Sequence, residues 1–268
     1  MLQVTYDLHI HSCLSPCGDE EMTPANIAGM AAVKELQVIA VTDHNSCKNC
    51  PAVIKTAAEY GVLALPGMEL TTEEEVHVLC LFAKLSDAFA FDAFVYENLL
   101  PVPNDERIFG RQLVMDEQER IIEKPEKLLI NATSISFDAV YGLMEEYHGV
   151  MIPAHLDKTT TSLLSNLGFI PPDSRFAVAE FARLSNLHRL RKEHPYLDTC
   201  NVICNSDAHY LQDIHEPEFT LVVEEVSAEG VLDALVRMKR MSIGLSHPFR
   251  ESAKGLLVTG RNNPYKQT

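Results

Sequence analysis

Tryptophan is absent, and aromatic residues make up 7% of the 268-residue chain. Neither scarcity excludes a function. Others do. No apolar run approaches the ~20 residues that a transmembrane helix needs, which argues against a membrane partner. No signal-peptide pattern precedes Asp7, so the expected compartment is the cytoplasm. Basic residues are few: 22 Lys and Arg stand against 38 Asp and Glu, a formal net charge of -16. A chain this acidic repels polyphosphates, so no long nucleic acid is expected as a partner. A small phosphorylated substrate stays open, because bound divalent cations invert the local charge.

The seven cysteines are odd in number. Cys47 and Cys50 form a C-x-x-C, and Cys200 and Cys204 lie close together. Neither pair has a second C-x-x-C or a His at zinc-finger spacing, so free thiols in a reducing compartment are expected. A nucleophile elbow and a P-loop are both missing, so no Ser or Cys nucleophile is put forward. There is no internal repeat and no low-complexity tract. With 46% hydrophobic and 22% charged residues, the composition is that of an ordinary globular protein.

What the chain does contain is an alternation of strand-like and helix-like patterns. Residues 4–8, 38–41, 62–65 and 76–82 read as strands. Thr23 and Pro24 open a helix with an apolar stripe of Ile27, Met30, Ala31 and Leu36, and residues 51–60 form another that Gly61 ends. Further on, residues 137–147 and 187–194 read as helices, and 150–152, 177–181 and 202–204 as strands. A helix over 228–239 precedes a short strand near Ile243, and the polar tail from Arg261 is expected to fray. This rhythm predicts βαβ units and a parallel sheet or barrel. Residues 100–131 interrupt it with Pro101, Pro103, Pro125 and many charges. They read as a small insertion carrying a hairpin, of the kind that serves as a lid, binding loop or linker. The expectation is a single domain over 1–268 with this insertion.

Histidines and acids fall where strands are predicted to end. His9 and His11, flanked by Asp7, sit at i and i+2, one face of an extended strand. Asp43 and His44 follow the second strand; Gly67 and Glu69 follow the third, with His77 nearby; His155 ends another; Asp207 and His209 repeat the i, i+2 spacing. Taken singly, each reads as easily otherwise: Asp43 as a helix cap, His77 as a hydrogen-bonded core histidine. Together, five strand ends each deliver His, Asp or Glu, and a barrel of parallel strands brings such ends to one rim. His148, His188, His194, His215 and His247 are assigned to solvent or local hydrogen bonds.

These pieces, in this order from Asp7 to His209, resemble the PHP family, the polymerase and histidinol phosphatase superfamily. The resemblance implies an α/β fold, a distorted (β/α)7 barrel holding two or three divalent metal ions (zinc, manganese or iron). It implies a metal-dependent phosphoesterase in which a metal-activated hydroxide attacks a small phosphorylated molecule or short nucleotide. Carried over by position, His9, His11, Glu69 and Asp207 would hold one ion. Glu69 would bridge to a second ion held by His77 and His155. His44 and His209 would hold a third, with Cys17 and Asp19 as candidates for its remaining ligand. His209 and Asp207 are the expected catalytic pair, a protonated His209 assisting the leaving group. Lys158 and Arg183 are the expected phosphate clamps, joined by Arg111 if the insertion closes over the site. The alternatives are an exonuclease or nucleotide phosphatase on oligonucleotides, histidinol phosphate as substrate, and a non-catalytic metal-binding module.

Overall fold

Val38, Ile39, Ala40 and Val41 are all buried, which a strand covered on both faces requires. This strand lies inside a mixed sheet. The computed structural model describes residues 1–237 and the backbone of residues 244–245. In chain order the elements are β1 (Leu2–Ile10), α1 (Pro24–Val33), β2 (Val38–Val41), α2 (Cys50–Glu59), β3 (Leu63–Thr71), β4 (His77–Phe82), α3 (Leu85–Asn98), α4 (Glu106–Phe109), β5 (Val114–Met115) and β6 (Ile121–Glu123). They continue with α5 (Phe137–Glu146), β7 (Gly149–Pro153), α6 (Leu163–Leu167), β8 (Val178–Glu180), α7 (Leu187–Glu193), β9 (Asn201–Ile203), β10 (Phe219–Val223), α8 (Ala228–Arg237) and β11 (Gly244–Leu245).

The main sheet has the order β11-β10-β1-β2-β3-β4-β7, and β8 pairs with β9 in parallel. The two curl toward each other. Leu156 N–H donates to the Glu180 carbonyl at 2.9 Å, and His11 N–H donates to the Ala208 carbonyl at 2.9 Å, beside a parallel bridge between Ile10 and Ala208. The result is the α/β, distorted barrel that was expected. Inward residues from successive strands form one cluster: Leu8, Ala40, Leu65, Leu79, Leu81, Ile152, Val178 and Ile203. Outside it, Ile10, Ile39 and Val41 pack on Ile27, Ala31 and Val53 of α1 and α2. Thr23 accepts from Asn26 N–H as the cap of α1, with Pro24 leading the helix.

The expectation of an all-parallel order is corrected. β4 runs antiparallel to both β3 and β7. β3 is nine residues long and continues through Glu69 to Thr71, well past the end read at residue 65. Residues 67–71 stay extended because they pair with β4, Gly67 opposite Leu81 and Thr71 opposite His77. Thus β4 brings its first residue, His77, to the rim where β3 ends. The helix α3 and the strand β10 were not anticipated; β10 pairs antiparallel with both β1 and β11. Lys239, Ile243, His247 and the tail from Arg261 lie outside the described residues.

Gly67 follows the last pair of β2 with β3, Val41 opposite Pro66. A Cβ there would lie 2.7 Å from Leu81 Cδ2, 3.0 Å from Thr42 Cγ2 and 3.2 Å from the Cys80 carbonyl oxygen. Gly67→Ala is therefore expected to cost about 1–3 kcal/mol through overpacking. A melting temperature equal to that of the wild type would contradict this.

The segment 100–131 carries the β5–β6 hairpin, shorter than expected, and packs on the loop after β1. Leu113 N–H donates to the Cys13 carbonyl. Asn49 reaches Leu113 O and Met115 N, and the Asn45 amide donates to Leu129 O at 2.7 Å and Asn131 O at 2.8 Å. Among the described residues no helix is long and apolar enough to cross a membrane.

Candidate metal centre

The end of β1 breaks strict alternation. Leu8 belongs to the interior cluster and Ile10 to the outer one, and the register of β1 against β2 shifts between Asp7 and Ile10. Such an irregularity re-aims side chains. Here it leaves His9 and His11 side by side, with their Nε2 atoms 3.2 Å apart. Asp207 Oδ1 lies 3.2 Å from both. Glu69 stands opposite, Oε1 3.3 Å from His9 Nε2 and Oε2 3.4 Å from His11 Nε2. The ligand atoms of His9, His11, Glu69 and Asp207 all fall within 4.8 Å of one another.

Glu69 is also the hub of a second group. His77 Nδ1 is 2.9 Å and His155 Nε2 3.2 Å from its Oε1, and His44 Nδ1 is 3.2 Å from its Oε2. His44, Glu69 and His77 form a compact donor set, as do His11, His44 and His209. The eight metal candidates on the strand ends are thus brought together.

The residues fit a bound cation. His9 Nδ1 faces both Glu180 oxygens at 3.1 Å, and His11 Nδ1 faces Ser15 Oγ at 3.0 Å. Ser15 Oγ in turn donates to Asp43 Oδ1 at 2.7 Å, so it accepts from the His11 ring. With both rings neutral, each would present an Nε2 lone pair to Asp207, acceptors converging on an acceptor. A divalent ion resolves that conflict, with the Glu180 carboxylate behind the His9 ring and Asp43, through Ser15, behind the His11 ring. His44 Nδ1 and His155 Nδ1 are buried without a hydrogen bond, which points the same way.

Electrostatics agree. Burial alone would lower the His9 pKa, but Glu180, Asp207 and Glu69 hold it well above the ordinary range. His11, likewise buried, is pushed up to about 9 by Asp207 and Glu69. Burial works against the Glu69 carboxylate, yet His77, His9 and His44 hold its pKa well below the usual value. Cations would replace these protons. His209 behaves differently: burial, helped by His11, lowers it to about 4, and its Nδ1 faces the Asp207 carbonyl at 2.9 Å. The site favours a neutral ring there rather than the protonated one expected.

Three of the eight non-glycine residues with positive φ among the described residues lie at this rim. Asn45, His155 and Asp207 adopt φ of 49°, 32° and 54°, a region non-glycine residues seldom occupy and one that clusters at functional sites.

Other candidates fare unevenly. Lys158 Nζ pairs with Asp207 Oδ2 at the edge of the centre. Arg183 is exposed, and its side chain enters no ion pair among the described residues. Arg111 pairs with Glu20 at 3.0 Å. Cys17 is exposed, and the Asp19 carboxylate accepts from Glu21 N–H; neither enters a donor set among the described residues. The His11, His44 and His209 set therefore contains no carboxylate.

Asp43 and Asp7 lie at the rim as the sequence suggested, but their supporting contacts and the role of Glu180 were not legible in it. Asp43 does not cap a helix; it gathers Ser12 and Ser15, through their N–H and hydroxyl groups, beneath His11. Asp7 accepts from Ser206 and His215 N–H groups. Glu180 is buried against His9. It ends a short apolar run, the same cue that marked the other rim residues.

The family model described as PHP domain matches residues 7–164. A curated relative, uncharacterized protein MJ1587 of Methanocaldococcus jannaschii, is 37% identical over 79 residues, 26% of this chain and 46% of that protein. The endonuclease Q of Pyrococcus furiosus superposes with a TM-score of 0.62 at 20% identity, covering 88% of this chain and 56% of that one. Endonuclease Q with a 27-mer duplex carrying an abasic lesion at its active site gives a TM-score of 0.63 at 20% identity, covering 88% and 57%. A candidate metal-dependent phosphoesterase of Bifidobacterium adolescentis gives 0.56 at 17% identity, covering 87% and 96%. At these identities the structural likeness establishes the fold. The chain spans about half the length of the curated relative and of endonuclease Q.

One expectation is overturned here. Long nucleic acid was excluded on net charge, yet a protein of this fold holds a 27-mer duplex at its active site. The sum of charges over a chain does not describe the field at a rim able to carry cations.

Proposed function

The chain belongs to the PHP domain family of metal-dependent phosphoesterases, and on that premise we propose that it hydrolyses a small phosphorylated molecule or short nucleotide at the centre built on Glu69. The observation that carries this reading is the convergence of His9, His11, Glu69 and Asp207 within 4.8 Å, with both Nε2 atoms 3.2 Å from Asp207 Oδ1. These four residues would hold one ion. Glu69 would share a second with His44, His77 and His155. The all-imidazole third position is the weakest, because it offers no anionic ligand. Zinc, manganese and iron all suit such donors.

Ions bound there would acidify a coordinated water and neutralise the non-bridging phosphoryl oxygens. The chain's own residues do the rest. Asp43 through Ser15 keeps His11 in a single tautomer. Lys158, held at the rim by Asp207 Oδ2, supplies a cation to the entering phosphate. His209, with Nδ1–H on the Asp207 carbonyl, keeps Nε2 as a ligand atom or proton acceptor. The segment 100–131, read as an insertion into a single domain, borders the rim and would shape access. All seven cysteines are free, which suits a reducing compartment such as the cytoplasm.

A second reading takes nucleic-acid phosphodiesters as the substrate, favoured by the duplex held by endonuclease Q on the same fold. The test is a substrate panel with zinc- or manganese-loaded protein: phosphomonoesters, mononucleotides, single strands, and duplexes with and without an abasic site. Metal-dependent release of phosphate from the small esters is expected. Cleavage of duplex alone would favour the second reading. Stoichiometric metal with no cleavage of any ester would point to a non-catalytic module.

A further inference from the structure

We propose that Glu180 is the positioning residue that makes His9 an Nε2 ligand, and that its loss weakens ion binding rather than merely loosening the barrel. The inference rests on the metal-centre reading above and adds a residue that lies in none of the donor sets.

A carboxylate 2% exposed is costly unless its lone pairs are filled. Glu180 fills them from three separate segments. His9 Nδ1 lies 3.1 Å from each oxygen. His155 N–H donates to Oε2 at 2.8 Å, and the Asn205 amide donates to Oε1 at 2.7 Å. Asn205 Oδ1 then accepts from Leu8 N–H at 2.8 Å, the residue just before His9. An ionised carboxylate only accepts, so the His9 ring must present its proton at Nδ1. The lone pair then stands at Nε2, the atom 3.2 Å from Asp207 Oδ1. The same carboxylate fixes the backbone of His155, a residue with φ of 32°, whose Nε2 faces Glu69. One buried group thereby aims ligands of both donor groups that share Glu69.

A glutamine of the same size would set an amide N–H against the His9 or His155 N–H and break this pattern. Zinc titrated into metal-free protein against a chromophoric chelator is expected to bind Glu180→Gln and Glu180→Ala about 10–100-fold more weakly than wild type. In zinc-loaded wild type, nitrogen-edited NMR should show His9 protonated at Nδ1, with that resonance lost or moved in Glu180→Gln. A purely structural role would lower the melting temperature without these changes. Wild-type protein that takes up no zinc would sink both this inference and the metal reading. Tight wild-type binding with Glu180→Gln within about threefold of it, or His9 found protonated at Nε2, would overturn the positioning role alone. If neither variant folds, the wild-type resonance still decides: the His9 Nδ1 proton is expected far downfield, as a proton held by a carboxylate is, and an ordinary shift would overturn the positioning role.

Discussion

A protein carrying His11→Ala and Asp207→Ala together is expected to lose ester hydrolysis by about 10³-fold, the equivalent of roughly 4 kcal/mol of transition-state stabilisation. The pair removes two of the four candidate ligand residues of the largest donor set. His11 is chosen over His9 for a physical reason. Removing the His9 ring would strip a buried carboxylate of its ring partner, and an orphaned buried charge destabilises the fold directly. The His11 ring rests instead on a hydroxyl, Ser15 Oγ, which Asp43 continues to satisfy. Asp207 is 15% exposed and its partner Lys158 39% exposed, so water can reach the freed ammonium. Steady-state rates on a phosphomonoester, with circular dichroism and bound metal measured on the same samples, check the expectation. A folded double variant that keeps more than a tenth of wild-type kcat/KM would refute the assignment of these ligands.

Stripping the ions with a chelator is expected to lower the melting temperature by roughly 8–16 °C. An ion present at about 1,000 times its dissociation constant stabilises the native state by about 4 kcal/mol, and each kcal/mol is worth about 2–4 °C in a chain near this size. The sign follows from the site. Without a cation, five imidazoles surround the single carboxylate of Glu69, and His9 and His11 must take up protons in the ion's place. Differential scanning calorimetry with and without chelator measures the shift, and adding zinc back should restore it. The His11→Ala/Asp207→Ala protein should respond far less. An equal response in both proteins, or none in the wild type, would place the ions elsewhere.

Much of this centre was legible in the chain because the cue is local. His9 with His11 and Asp207 with His209 carry their spacing within three residues, and each follows an apolar run that ends abruptly. What was not legible is what depends on distant pairing. The direction of β4 follows from a five-residue turn after Thr71, and nothing in its own apolar pattern says that it runs antiparallel. That direction turned His77 from an expensive core histidine into a rim residue. The α3 helix buries Ala88, Phe91, Asp92 and Val95 at helical spacing, but it is apolar on other faces too and has no side-chain cap, so neither its period nor its start stood out. Glu180 meets His9 across 171 residues of sequence, and only the closed barrel brings them together. Net charge misleads about nucleic acid for a related reason: it sums over the whole chain a quantity that matters only at the rim.

The three strained backbones have a bearing on how this rim tolerates change. Asn45, His155 and Asp207 sit where a side chain branched at Cβ fits worst. A saturation library at these positions will therefore report two things at once, ligand chemistry and conformational cost. Valine, isoleucine and threonine will score below alanine for reasons unrelated to catalysis. Glycine will relieve the backbone while deleting the functional group. Asparagine at 207, which keeps both the shape and the tolerance for this conformation, is the replacement that isolates the value of the negative charge.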